Sequence, residues 1–401
     1  MTATTSVRRI DPSRSGISPW KAFRAKPEDW FDEEEIAKAK RYVGPLRKVH
    51  AYRIALNVVA DVAVIRLHVM PNLLHHLGWH SLFLEVTAVM LALSLIGIVE
   101  NTGFSWWESM VYDKKWGFST MTTGTFFSDL AKNFLIGAVL NIAIASLLWW
   151  VIRSTDAWWL VGWFVISLFS VGFALLAPKL IFPLFNKYTP LADEELHADI
   201  LSVARGVGAD IKVVEVEDSS KRDTRKNAYV AGAGKTRKMV LFDTMLEWPK
   251  DQVRWVCAHE IGHWRRKHIF RLVPAVLALQ LVSFGALKLV IENHSVLNFA
   301  GVTTLHDPGA IPLFFFLFAI PGLVAGLFVS YVQRAAERDA DLFGLEAIPE
   351  PDAAMQAMRN LYTESLGDLA PSLWKRLNHS HPPVAERLAM IQEWGRRNQA
   401  A

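Results

Sequence analysis

The run Val256-Cys257-Ala258-His259-Glu260-Ile261-Gly262-His263 sets two histidines four residues apart, with a glutamate beside the first. On a helix, imidazoles at that spacing share one face and can grip one metal ion. Glu260 can then serve as general base toward a water at that metal, the division of labour used in zinc hydrolysis. A catalytic zinc usually takes three protein ligands and keeps one position open, so a third ligand must come from another element. Cys257 is the only cysteine. It excludes an internal disulfide framework and a cysteine-based metal cluster, and it reads as a small buried apolar residue.

The elements that must position these residues are set by hydropathy. Of 401 residues, 52% are hydrophobic and 20% charged, with a positive mean hydropathy. That mixture suits a multipass protein with substantial aqueous segments. A formal net charge of +4 is too mild to imply a nucleic-acid partner. Apolar runs near 82–99, 133–152, 157–177, 269–291 and 311–332 are long enough to cross roughly 30 Å of hydrocarbon. A sixth run, 54–76, contains Asp61, Arg66 and His68; counting it puts both termini on one side. The three connectors then facing outward, near 77–81, 153–156 and 292–310, hold a single Lys or Arg, Arg153. The positive-inside rule therefore places the termini and the 178–268 region in the cytosol. Trp149, Trp150, Trp158 and Trp159 fall at outward span ends, where an aromatic belt is expected. Asp61, Arg66 and Glu85, at or near membrane depth, hint at a polar interior chamber.

Between the fourth and fifth spans, 192–205 reads as a helix, and 211–216, 227–233 and 239–242 read as strands around a turn at 232–235. The helix carrying the two histidines begins near Asp251. The expected fold is an α-helical multipass membrane protein of about six spans with a small cytosolic α+β zinc-metalloprotease domain. Residues 1–53 form a soluble arm, and 54–177 hold four spans with a cytosolic connector near 100–132. Residues 178–268 form the protease region ending in the zinc helix, 269–332 hold the last two spans, and 333–401 form a C-terminal cytosolic region.

That topology offers the third ligand. The fifth span leaves the cytosol about six residues after His263, and the sixth returns to it about five residues before Glu337. Antiparallel helices joined by a short outer connector bring Glu337 level with His259 and His263. Asp341, four residues on, shares a face with Glu337 and can hold a ligand histidine in its tautomer.

At this point the chain resembles the type 1 CAAX prenyl proteases, integral-membrane zinc metalloendopeptidases that include bacterial members. The similarity runs through the segment from Ile181 to Tyr188 and through Asn227-Ala228-Tyr229 with Leu241-Phe242-Asp243-Thr244. It continues through His259, Glu260 and His263, through Glu337 with Asp341, and through Ser380-His381-Pro382-Pro383 followed by Glu386-Arg387-Leu388. Gln333 stands where the family often has serine, and the extra N-terminal span of eukaryotic members is replaced by the arm.

The resemblance implies bound Zn2+ and peptide hydrolysis with Glu260 as base. A developing oxyanion needs a donor besides the metal, a role expected of His381. Arg387 is expected either to orient His381 through Asp341 or to take a substrate carboxylate. Asn227, Ala228 and Tyr229 are expected to bind an extended peptide by backbone pairing. The partners implied are a peptide or protein substrate and the lipid bilayer, at a bacterial plasma membrane with the active site facing the cytosol. The alternatives are a heat-shock-type quality-control protease of membrane proteins and, in another class, a catalytically silent membrane scaffold or transporter.

Overall fold

The computed structural model describes residues 16–232 and 236–399; most of the turn expected at 232–235 lies outside them. α1 (Glu33–Arg66) starts at a reciprocal cap. Asp32 Oδ1 accepts from Glu35 N at 2.7 Å, and Glu35 Oε2 accepts from Asp32 N at 3.0 Å. Glu33, Glu34 and Glu35 then lie in the first turn, where the helix dipole favours negative charge. At His68, with φ 52°, the chain turns into α2 (Val69–Leu77), 48° from α1.

α3 (Leu82–Trp106) continues through a π-helical turn, Trp107–Tyr112, into the single-turn α4 (Asp113–Lys115). α5 (Thr123–Ser154) and α6 (Trp158–Leu180) form an antiparallel pair. α9 (His268–Ile291), the short α10 (His294–Phe299) and α11 (Ile311–Ala347) complete the apolar set. Five stretches, α3–α4, α5, α6, α9 and α11, are long and apolar enough to span a membrane, or six if the bent α1–α2 pair is one span. The divisions expected at 53/54 and 332/333 fall inside continuous helices, α1 and α11.

The second unit is a small α/β layer. β1 (Tyr188–Pro190), β2 (Val213–Glu217), β3 (Ala228–Ala231) and β4 (Lys238–Phe242) form one sheet in the order β1-β2-β4-β3. β2 and β4 run parallel with Val213 opposite Lys238, and β3 pairs antiparallel with β4 with Ala228 opposite Leu241. β3 is therefore an edge, and it lies beside α8 (Lys250–Arg265). α7 (Glu194–Gly206), capped by Asp193, packs on the other side of α8. α12 (Pro351–Thr363), α13 (Leu373–Asn378) and α14 (Val384–Gln399) close the layer against α8 and α11.

One apolar core joins these pieces: Met239 and Leu241 from the sheet, Trp255, Cys257 and Ile261 from α8, Phe343 from α11, Leu388 from α14. Each such side chain contributes roughly 1.5–3 kcal/mol by leaving water. Cys257 has no exposed surface, as a small apolar filler should.

A second core sits at the opposite end of the helices, around Trp149, Trp158, Phe284 and Phe314. The aromatic belt expected there needs correction. Trp149 and Trp158 are buried, with their indole N–H groups donating to Asp307 O at 3.4 Å and Glu292 Oε1 at 2.7 Å. The connector after α9 folds back over them, so they serve as core residues; Trp150 remains exposed. Glu85 pairs with Arg153 at 3.3 Å near this end, whereas Arg66 stacks on Phe299.

Candidate active site

α8 ends where Lys267 takes φ 57°, a left-handed conformation that stops the helix and restarts it as α9. The histidine helix is thus joined directly to a candidate span, and α11 returns antiparallel to pack against both. Two glycines let α11 come close. A Cβ on Gly262 would stand 3.0 Å from Phe343 Cδ1, and one on Gly344 would stand 3.2 Å from Trp255 Nε1.

The close approach brings Glu337 to the two histidines. Glu337 Oε1 is 3.3 Å from His263 Nε2, Glu337 Oε2 is 3.6 Å from His259 Nε2, and the two Nε2 atoms are 3.2 Å apart. Among the described residues, this trio is the group of His, Cys, Asp and Glu whose ligand atoms converge, all within 4.8 Å of one another. His75, His76 and His80 form no such cluster. Glu260 Oε1 lies 4.0 Å from His259 Nε2, on the open side.

Each histidine is oriented from behind. His259 Nδ1 is 2.9 Å from Asp341 Oδ1, at ion-pair distance though off the ideal hydrogen-bond line. Asp341, fully buried, accepts from Arg387 Nε at 2.7 Å and Nη2 at 2.6 Å. Arg387 Nη2 also approaches Glu337 Oε2 to 3.6 Å. Arg387 is 4% exposed, and its guanidinium pairs with these two carboxylates at the edge of a cavity.

His263 Nδ1 meets His268 Nδ1 at 3.0 Å, and His268 Nε2 meets Asp339 Oδ2 at 2.9 Å. One proton assignment satisfies both contacts. His268 donates from Nε2 to Asp339 and accepts at Nδ1 from His263, leaving His263 Nε2 with a free lone pair.

These assignments point two imidazole lone pairs at each other beside Glu337 Oε2, a buried oxygen without a hydrogen-bond partner. Such donors repel unless a cation lies between them, so the residues fit a metal ion. Burial works against a charged His259, but the Asp341 and Glu337 carboxylates outweigh it and lift its pKa to about 10. The site thus favours positive charge at this ring, and a metal ion would take the place of a proton there. Burial raises Glu260 above the usual carboxyl value, against the pull of His259 and His263.

His381 reaches the same centre from the loop before α14, with Nε2 3.4 Å from Glu337 Oε2 and Nδ1 2.8 Å from Ser380 Oγ. Partial desolvation by the surrounding protein pushes its pKa down to about 4, although the side chain keeps 44% of its surface open.

The peptide-binding candidates divide. Asn227 is exposed, but its Oδ1 accepts from Ala228 N at 2.9 Å and so serves its own chain. Ala228 is buried against β4. Tyr229 donates to Glu217 Oε2 at 2.7 Å. What faces the catalytic groups is the strand itself. Two cavities, about 680 and 820 Å³, meet at Glu260, Glu337 and His381; Tyr229, Val230 and Gly232 line the first and Asn227 the second.

Sequence reasoning missed His268 and Asp339. An i+5 offset from His263 and an i+2 offset from Glu337 both leave the ligand face of a straight helix. The left-handed Lys267 turns His268 back toward His263, and the only local signal was an extra histidine just past the helix end.

Comparison with known proteins extends this geometry to the whole chain. Residues 190–395 match peptidase family M48, and residues 21–187 match the CAAX prenyl protease N-terminal family, described as five membrane helices. An uncharacterized metalloprotease, YhfN of Bacillus subtilis, is 28% identical over 76% of this chain and 73% of its own length. CAAX prenyl protease 1 of Saccharomyces cerevisiae is 27% identical over 91% of this chain and 87% of its own. The crystal structure of S. mikatae Ste24p superposes with a TM-score of 0.82 at 25% identity, covering 91% of this chain and 90% of that one. Helices, sheet and the histidine helix thus fall under one pair of matches, which favour the CAAX lineage over a quality-control protease or a silent scaffold. The chain belongs to peptidase family M48, as a multipass membrane metalloprotease carrying the CAAX prenyl protease type of membrane helices.

Proposed function

We propose that the protein is a zinc endopeptidase that cuts an extended peptide laid along the free edge of β3. The observation that carries this reading is the convergence of His259 Nε2, His263 Nε2 and a Glu337 carboxylate oxygen within 4.8 Å. Two imidazoles and one carboxylate form the ligand set of a catalytic zinc, with an open position left for chemistry. A zinc ion held there supplies Lewis acidity, polarising a carbonyl and making a water acidic enough to lose its proton near neutral pH.

The remaining work belongs to the chain. Glu260, its carboxyl raised by burial, takes the proton of the attacking water on its free oxygen and later delivers it to the leaving amine. His381 donates an N–H to the oxyanion as charge develops. Asp341 and the His268–Asp339 pair fix the Nδ1–H tautomers, so both Nε2 atoms present lone pairs. Arg387 acts one step back, holding Asp341 rather than touching substrate. Backbone groups of β3 align the peptide across the two cavities, from Asn227 to Gly232.

The site is proposed to face the cytosol of a bacterial plasma membrane, a reading supported by the Lys/Arg asymmetry of the connectors and the similarity to the Bacillus subtilis relative. Substrates are proposed to be membrane-associated proteins with CAAX-type C-termini, as the name of the yeast relative suggests. The test is cleavage of a CAAX-type peptide by the purified protein, before and after chelation. Activity lost with the metal and restored by zinc is expected; activity indifferent to chelation contradicts the reading.

A further inference from the structure

Residues ahead of α1 lie against the catalytic layer. Ile17 is buried in the core shared by the sheet, α8 and α14. Pro19 O accepts a 3.0 Å hydrogen bond from Arg338 Nη1. Arg338 follows Glu337 in the chain and is itself fixed by Glu386 Oε1 at 2.7 Å and Arg334 O at 3.1 Å. Downstream, Phe31 is buried in the same core, and Arg359 binds the Trp30 carbonyl and the Glu35 carboxylate.

Between these anchors a turn closes by Lys21 N donating to Ser18 O at 3.2 Å. It holds Trp20 out, 53% exposed, with its ring 5.9 Å from that of Tyr331. A single exposed aromatic residue is ordinary. This one stands in the wall of the 680 Å³ cavity that also contains Glu260, His263 and His381, and its neighbours there include Leu272, Phe328 and Val332. An apolar wall beside the catalytic glutamate, closed by a large ring on a doubly anchored arm, is a receptacle for an apolar side chain.

We propose that Trp20 is a specificity-determining residue. It completes an apolar subsite for a large aliphatic or aromatic side chain flanking the scissile bond, on the side where the peptide would run along Tyr229 to Gly232. The proposal rests on the peptidase reading above. The 820 Å³ cavity across the catalytic groups is lined instead by α1, with Tyr42, Leu46 and Ala51, together with Asn227 and Tyr362, and by no residue ahead of α1. The arm thereby links substrate choice to a segment outside both the membrane helices and the sheet.

The test uses the full-length protein in detergent, with wild type, Trp20→Ala, Trp20→Phe and Glu260→Gln run against one peptide scaffold. The scaffold is varied at each position around the cut, and products are read by mass spectrometry. Trp20→Ala is expected to lower kcat/KM roughly tenfold for peptides with a large apolar residue at one flanking position, the usual scale of hydrophobic pocket discrimination. Peptides with alanine there, and substitutions on the other side of the cut, should be cleaved as by wild type. Trp20→Phe should retain the preference, and metal content should be equal in all four proteins. An unchanged preference in Trp20→Ala, or a uniform loss at every position, overturns the subsite while Glu260-dependent cleavage by wild type still upholds the peptidase reading. Absence of Glu260-dependent cleavage overturns both.

Discussion

Asp341 and Arg387, both buried, share two hydrogen bonds, 2.7 and 2.6 Å long. The carboxylate also faces His259 Nδ1 at 2.9 Å, so one buried anion serves an imidazole on α8 and a guanidinium on α14. Burial opposes the charge on Arg387, yet Asp341 and Glu337 raise its pKa, so it stays protonated throughout the working pH range.

Arg387→Ala should leave Asp341 buried without its partner, at a cost of about 3–5 kcal/mol. The expected outcome is a lower melting temperature together with lower zinc occupancy, because His259 loses its brace. Thermal denaturation and metal analysis of the purified variant check this. Wild-type stability in Arg387→Ala would remove the residue from the positioning role.

His381 should behave differently. It stands on a cavity wall and touches Glu337 through one 3.4 Å contact, so little of the fold depends on it. His381→Ala should keep its metal and bind peptide almost normally, while turnover falls by about 10²–10³, the usual effect of losing one oxyanion donor. Steady-state kinetics beside metal analysis separate this from a structural effect. Loss of zinc and stability instead would make the segment a turn that supports the fold.

The His263–His268–Asp339 chain gives a third expectation. His268→Ala removes the acceptor of the His263 Nδ1 proton and should weaken zinc binding about 10–100-fold, the usual effect of losing such an outer partner. Competition with a chelator of known affinity measures it. Zinc affinity equal to wild type would mean that His268 plays no part in orienting His263.

Much of the site was legible in the sequence because helical spacing is a strong constraint. His259 and His263 share a face at i and i+4, and Glu337 followed from the depth of two antiparallel apolar runs. Three of the four strands, β2, β3 and β4, match the expected runs within a residue or two, since β-branched runs such as Val213–Glu217 carry their own signal. The three-residue β1, ending in Pro190, carries none. Other features depend on tertiary placement. The parallel pairing of β2 with β4 leaves no trace in either strand alone. Burial of Trp149 and Trp158 depends on the connector after α9 folding over them, and interfacial and core tryptophans look alike in a hydropathy profile. Trp20 sits in a polar arm without periodicity, and only the fold carries it to Glu260.

Sidedness gives a fourth expectation. A reporter placed at Ser219 should report cytosol and one at Thr303 the outside, because α9 crosses between them and Thr303 lies in the connector from α9 to α11. Both reporters on one side would contradict a crossing hairpin and a cytosolic site.

The central claim is that His259, His263 and Glu337 hold the zinc that Glu260 uses. Its most direct test is zinc content and peptide turnover measured together on wild type, Glu337→Ala and Glu260→Gln. Glu337→Ala should lose zinc and activity together. Glu260→Gln should retain about one zinc per chain, as expected of a base that is not a ligand, and lose turnover by about 10²–10⁴. Full zinc occupancy in Glu337→Ala, or undiminished turnover in Glu260→Gln, would contradict the claim.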